Sequence, residues 1–311
     1  MSSLIEQAAR RLEQLRQAGV DMPATPVRPA QPVELTPPSA ATPKPSAPVL
    51  PSRRVDLDLD ALTVAGIVNP NSPRSEIADQ YRVIKRPLIK NAMGKGASII
   101  ANGNLIMVTS ALPGEGKTFT SINLAMSIAT ELDNTVMLVD ADVARPSVMR
   151  MLGLPDGPGL LDMVLDDTLD MSSVLLKTNV EKLTILPSGT PHPRATELLA
   201  SDAMVRLLED MAARYPDRII VFDSPPLLIT TESRVLATHM GQIVLVVNAG
   251  KTLQSEVKQA VSTIESCPVK LLLLNRASSL FKGGYGYNYG YRNGYGYGYG
   301  YGYTREEEQA T

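Results

Sequence analysis

The chain has 311 residues, 44% of them hydrophobic, and a formal net charge of −2. That supports one large domain with extras, and the balanced charge excludes the basic field of a nucleic-acid-binding domain. The single cysteine, Cys267, rules out an internal disulfide and suits a reducing compartment.

No apolar run is long enough to span a bilayer. The start of the chain carries Glu6, Arg10, Arg11 and Glu13 and is unlike a signal peptide. The expected location is therefore cytoplasmic, with docking on a membrane protein still open. His192 and His239 have no metal-ligand spacing and read as structural.

Residues 2–19 have the pattern of an amphipathic helix, with Leu4, Ile5, Ala8, Leu12 and Leu15 on one face and Gly19 as the stop. Such a helix serves either to dock on a partner or membrane surface or to pack on its own domain. From residue 21 the chain is rich in Pro, Ala, Thr and Ser, and ten of its 24 prolines fall before residue 54. This reads as an unstructured linker. The expected division is a docking helix over 1–20, a Pro-rich linker over 21–71, an α/β domain over 72–280 and a tail over 281–311.

Ser72-Pro73 opens a helix-patterned stretch reaching about Asn91, with a break or kink expected at Pro87. Asp79, Arg82 and Lys85 recur three apart and track one side of it, as a solvated face or a contact with a neighbouring subunit. The apolar run 105–108 then leads into Ser110-Ala111-Leu112-Pro113-Gly114-Glu115-Gly116-Lys117-Thr118. A helix-patterned run over 119–132 follows, with Ile122, Ala125, Met126, Ala129 and Leu132 on one stripe.

Strand, Gly-bearing turn, Lys-Thr and helix is the context of a phosphate loop. Gly114 and Gly116 let successive N–H groups turn inward on an anion, and the helix N-terminus adds partial positive charge. Gly114, Glu115, Gly116, Lys117, Thr118 and Phe119 are the expected nucleotide-binding residues. Lys117 reaches the terminal phosphates and the Thr118 hydroxyl holds Mg²⁺. Ala111 stands where the usual first glycine of such loops lies.

Val136-Met137-Leu138-Val139 reads as a buried parallel strand ending in Asp140-Ala141-Asp142. Ligands of open α/β sheets bind at the carboxyl ends of strands, which places both carboxylates in the crevice of Lys117. Two carboxylates so close need a cation or a proton to coexist, and Mg²⁺ favours such a site. Arg145 follows nearby. Alone, Asp-x-Asp would read as a loop or helix cap.

Helices are expected over 159–176 and 196–211, a short strand over 183–186, and a rigid loop over 187–193. Residues 218–223 repeat the strand-then-carboxylate logic, making Asp223 a second metal-binding candidate, with Pro225-Pro226 stiffening the next loop. Apolar strands at 243–247 and 269–274 complete the pattern. Asn275 ends the last, as a base-reading amide or a turn cap. The alternation from 104 to 275 gives the fold class: α/β, a P-loop NTPase-like, mostly parallel sheet with helices on both faces.

Residues 283–303 are almost entirely Gly and Tyr. Nine of the 11 tyrosines are Tyr285, Tyr287, Tyr289, Tyr291, Tyr295, Tyr297, Tyr299, Tyr301 and Tyr303. Such a run cannot bury a core. It reads either as a low-complexity tail able to stack on RNA bases or as a set of phosphate acceptors beside a domain built for Mg-ATP.

Three phosphate-site segments followed by a tyrosine cluster resemble the bacterial tyrosine autokinases of capsule and exopolysaccharide synthesis. The runs 84–88 and 140–146, the opening helix and the Pro-rich stretch are most similar to the exosortase-associated branch. The resemblance implies a P-loop tyrosine kinase domain over 72–280 using ATP and Mg²⁺. Ser110 to Thr118 is its Walker A loop, Asp140 and Asp142 belong to Walker A′, and Asp223 is Walker B. Lys117, Asp140, Asp142, Asp223 and Arg145 are the implied catalytic set, with Thr118, Asp142 and Asp223 on the metal and Asp140 orienting the phenol.

The family's pattern has an arginine where Ala144 stands, and its subunit-contact motif appears as Asp79, Arg82 and Lys85. The resemblance further implies a homo-oligomeric ring and a membrane-embedded polysaccharide co-polymerase as activator. It also implies protein-tyrosine substrates, a cognate tyrosine phosphatase and a place at the inner face of the plasma membrane. The rival reading is a partition or division-site ATPase. Those carry a second loop lysine where this chain has Leu112, and they have no tyrosine-rich tail.

Overall fold

A computed structural model describes residues 53–71, 74–214 and 217–277. The expected docking helix over 1–20, the Pro-rich stretch to residue 52, Ser72-Pro73 and the tail with its nine tyrosines lie outside the described residues. In chain order the elements are β1 (Arg53–Val55), α1 (Leu59–Val64), α2 (Glu76–Ala92), β2 (Leu105–Ser110), α3 (Lys117–Ala129) and β3 (Thr135–Asp140). Then come α4 (Val148–Met151), α5 (Leu160–Leu165), α6 (Met171–Val174), β4 (Leu176–Thr178), β5 (Leu183–Leu186), α7 (Ala195–Leu199) and α8 (Asp202–Arg214). β6 (Arg218–Asp223), α9 (Glu232–Ala237), β7 (Gln242–Asn248), α10 (Gln254–Ser262) and β8 (Val269–Asn275) follow.

The strands form one sheet in the order β1-β4-β5-β3-β6-β2-β7-β8. Neighbours run parallel except β4 with β5. The central strands are apolar because both their faces are covered. Leu105, Met107, Met137, Val139, Ile220 and Phe222 face a core shared with α5 to α10. Their alternates Ile106, Val108, Val136, Leu138, Ile219 and Val221 face a second core shared with α1 to α4. The mostly parallel sheet with helices on both faces is thus the fold expected from the strand–helix alternation.

Several local expectations are corrected. Residues 53–71, included in the linker bounds although their mixed composition assigns them to nothing, join the fold: β1 pairs with β4, and Leu57, Leu62, Ile67 and Val68 are buried in the second core. α2 begins after Ser75, whose hydroxyl accepts the Ala78 N–H at 3.2 Å, and it continues through Pro87. The Val83 carbonyl deprived of its bond there belongs to a solvent-exposed residue, so water can take it up.

The helix expected over 159–176 is broken. The Asp166 carboxylate accepts the Thr168 N–H and hydroxyl at 2.9 and 2.6 Å, a local turn that competes with helical bonding. The helix over 196–211 is split because Ser201 caps a new start, accepting the Met204 N–H at 3.3 Å. Leu132 lies beyond the end of α3 and is 88% exposed.

Lys85 is 2% exposed. Its Nζ pairs with Glu131 at 2.7 Å and donates to Thr130 Oγ1 at 2.8 Å and to the Ser127 carbonyl. It therefore ties α2 to the C-terminal end of α3, where a cation also suits the helix dipole. It does not lie on the surface as a subunit-contact residue would; Asp79 and Arg82, which pair with each other, do. Among the described residues, no helix is long and apolar enough to cross a membrane.

Candidate active site

Strand register builds the site. β6 lies between β3 and β2, and Asp140 is the direct partner of Asp223 across β3 and β6. Neighbouring strands are ~4.8 Å apart, so two carboxylates end adjacent strands side by side. On the other side of β6, Asp223 is level with Val108, and the chain leaving β2 becomes the phosphate loop.

Gly114 and Gly116 both take positive φ, 78° and 98°, the left-handed region open to glycine at no steric cost. A side chain at Gly116 would also collide with the Asn275 amide. Asn275 Nδ2 donates to the Glu115 carbonyl at 2.9 Å and its Oδ1 accepts the Arg276 N–H. It therefore holds the loop in place. A cavity of about 520 Å³ opens here, lined by Gly114, Gly116, Lys117, Thr118, Phe119, Met151, Asn275 and Arg276.

Lys117 Nζ donates to Asp142 Oδ2 at 2.6 Å. Burial works to lower its pKa, but Asp223, Asp142 and Asp140 together carry it above the ordinary lysine value. Thr118 donates its one hydroxyl proton to Asp223 Oδ2 at 2.7 Å. Ser147 Oγ, 2.8 Å from Thr118 Oγ1, must then be the donor of that pair. Ser121 donates to Asp223 Oδ1 at 3.1 Å.

Burial, partly offset by Lys117, Thr118 and Ser121, pushes the Asp223 carboxyl up to about 6. Asp140 is pushed up to about 7, first by burial and then by Asp223, against the N–H bonds of Val148 and Ser147. Those bonds, 2.9 and 3.0 Å, both reach Oδ2 from the start of α4. Asp140 Oδ1 is buried without a partner.

The Asp142 and Asp223 carboxylates and the Thr118 hydroxyl, beside that orphaned oxygen, are an oxygen-only donor set of the kind Mg²⁺ takes. Among the described residues no three acidic, His or Cys side chains form a complete metal cage.

Two expected residues stand apart from the crevice. The Glu115 carboxylate is buried and accepts the Leu112 N–H at 2.8 Å, the Asn248 N–H at 3.5 Å and the Thr252 hydroxyl. Glu115 does not line the cavity, and its carbonyl is taken by the Asn275 amide. Arg145 is exposed; its backbone N–H donates to Asp142 Oδ1 at 3.2 Å, and its side chain makes no hydrogen bond or ion pair among the described residues.

Ser121, Ser147 and Thr252 were not singled out by sequence. Ser121 stands three residues after Thr118 on the same helix face, and Ser147 directly precedes a helix, the usual place of a capping hydroxyl. Both signals were present.

Comparison with known proteins gives the family. The ParA family, described as NUBPL iron-transfer P-loop NTPase, matches residues 102–272. Tyrosine-protein kinase YwqD of Bacillus subtilis is 32% identical over 206 residues, covering 66% of this chain and 83% of that protein. The chain belongs to the bacterial tyrosine-protein kinases. The putative tyrosine-protein kinase CapB of Staphylococcus aureus is 28% identical over 211 residues, 68% of this kinase-family chain and 88% of the relative. The crystal structure of the chimerical protein CapA2B2 superposes with a TM-score of 0.58 at 27% identity, covering 70% of this chain and 98% of that one.

Proposed function

We propose that this chain transfers the γ-phosphoryl group of ATP to tyrosine side chains, first of all those between Tyr285 and Tyr303 of its own sequence, and so regulates exopolysaccharide synthesis. The observation that carries the reading is the register pairing of Asp140 with Asp223 beside the Lys117 loop, in a chain whose sequence continues into nine tyrosines.

In this reading the loop N–H groups and Lys117 bind the triphosphate, and Thr118, Asp142 and Asp223 hold Mg²⁺. The metal supplies charge neutralisation for a loose, phosphate-centred transition state. Asp140 orients the phenol and accepts its proton. The phenol oxygen then bonds to the γ-phosphorus, the bond to the bridging oxygen breaks, and ADP leaves. Arg145, being exposed, is assigned to substrate approach. A homo-oligomer, a membrane-embedded co-polymerase activator and a cognate phosphatase complete the proposal, with peripheral association through that activator.

The test is incubation of the full chain with Mg-ATP and detection of phosphotyrosine. Wild type should label, the nine-fold Tyr→Phe tail variant should lose most label, and Asp140→Asn should lose transfer while still binding ATP. Phosphate release without phosphotyrosine would instead identify a bare ATPase. Normal labelling of Asp140→Asn would remove that residue from the proton transfer.

A further inference from the structure

Among the described residues, β8 is the last strand of the sheet and has a neighbour, β7, on one side only. Five of its seven side chains are apolar. Leu271 and Leu273 pack against the second core, and β8 from Leu271 to Leu274 lines an apolar groove of about 330 Å³ with Ile84, Pro87 and Leu88 of α2. Leu272 and Leu274 turn the other way and are 62% and 59% exposed. An apolar strand with an open edge is a pairing template that proteins ordinarily blunt or cover.

The sequence places a candidate beside it. β8 ends at Asn275, Arg276 takes a φ of 56°, and the Gly/Tyr segment begins at Gly283. A left-handed residue at that point turns the chain out of its strand. The seven residues 276–282 suffice for an antiparallel return but fall short of the dozen or so that a parallel crossover needs.

The segment's periodicity also fits. Tyr285 to Tyr291 and Tyr295 to Tyr303 alternate with other residues at a strict spacing of two, which puts every ring on one face of an extended strand. Successive rings would stand ~6.8 Å apart, the spacing of Leu272 and Leu274. The interleaved positions, nearly all Gly, present almost no side chain to the face where α2 already stands over the edge.

We propose that the outer edge of β8 is the docking strand for residues 283–303 of the same chain, with the tyrosine rings over Leu272 and Leu274. Main-chain bonds would give the pairing and aromatic–aliphatic cross-strand pairs its register. The docking does not depend on the tail's being phosphorylated.

Hydrogen exchange of the full chain tests it, comparing wild type with a full-length variant carrying Tyr287→Pro, Tyr289→Pro, Tyr297→Pro and Tyr299→Pro. Proline lacks the N–H and the backbone angles of a paired strand. The outward amides of β8 should exchange at least ~10-fold faster in the variant, with β3 and β6 unchanged. Leu272→Asp with Leu274→Asp, at exposed positions, should produce the same acceleration. Equal exchange of β8 in wild type and the proline variant overturns the proposal. Protection that disappears on dilution assigns the edge to a second copy and overturns the same-chain docking.

Discussion

Asp140→Asn, measured without nucleotide and metal, isolates the electrostatic strain of the site. The Asp140 carboxyl is pushed from 3.8 to about 7 by burial and by Asp223. A group whose protonated form is favoured in the native state contributes stability that is fully present below its unfolded pKa. That contribution is lost as pH rises through the folded value. The window is therefore about pH 4 to 7, with no further change above it. At ~1.4 kcal/mol per tenfold, the full displacement corresponds to about 4 kcal/mol. Asp223, pushed up to about 6, titrates over the same range, so the two share the effect and a single substitution should recover about 2–4 kcal/mol.

Asparagine keeps an oxygen for the Ser147 and Val148 N–H groups and removes the charge. Urea unfolding of both proteins at pH 5 and pH 8 gives the comparison. The stability difference between Asp140→Asn and wild type should grow in the variant's favour between these values and then level. A difference that stays flat, or grows as pH falls, refutes the burial argument.

Other substitutions test neighbouring assignments. Glu115→Ala leaves the Leu112 N–H and the Thr252 hydroxyl without their buried acceptor, at about 1–3 kcal/mol each; ATP affinity should fall about 10–100-fold with little change in the turnover of saturated enzyme, by titration and steady-state kinetics. Lys85→Met should cost about 2–4 kcal/mol in unfolding experiments, because it strips a buried cation from Glu131 and the end of α3. Its oligomeric state by light scattering should be unchanged. Tyr81 is buried, and burial pushes its phenol up to about 12; Tyr81→Phe should leave total phosphotyrosine unchanged by immunoblot.

Much of the site was legible because its parts are local words at strand ends: an apolar run, then a carboxylate, and a Gly-bearing turn before a Lys-Thr helix start. The sheet class followed from the same alternation. What stayed hidden depends on tertiary neighbours. Lys85 reads as one charge of a surface stripe until α3 packs over it. Glu115 sits among phosphate-loop residues, yet its side chain turns to β7 and the loop after it, more than a hundred residues away. β1 is three residues long, too short for any periodicity, and is defined only by its pairing with β4. The breaks near residues 166 and 201 are visible only once an Asp or Ser side chain is seen to capture a backbone N–H.

The register pairing explains why this centre needs a cation to reach full charge. Three carboxylates, Asp140, Asp142 and Asp223, face one lysine. Lys117 can cancel the charge of one of them, and its ammonium group pairs with Asp142. Thr118, Ser121, Ser147 and the α4 amides supply dipoles to the other two, which do not cancel charge. Burial raises the pKa of Asp140 and Asp223 first, and the uncancelled neighbouring charge adds to it. Two protons can settle it, and so can one divalent cation. A triphosphate arriving alone would add negative charge to a site already in excess of it, so under the proposed function nucleotide and divalent metal should bind together.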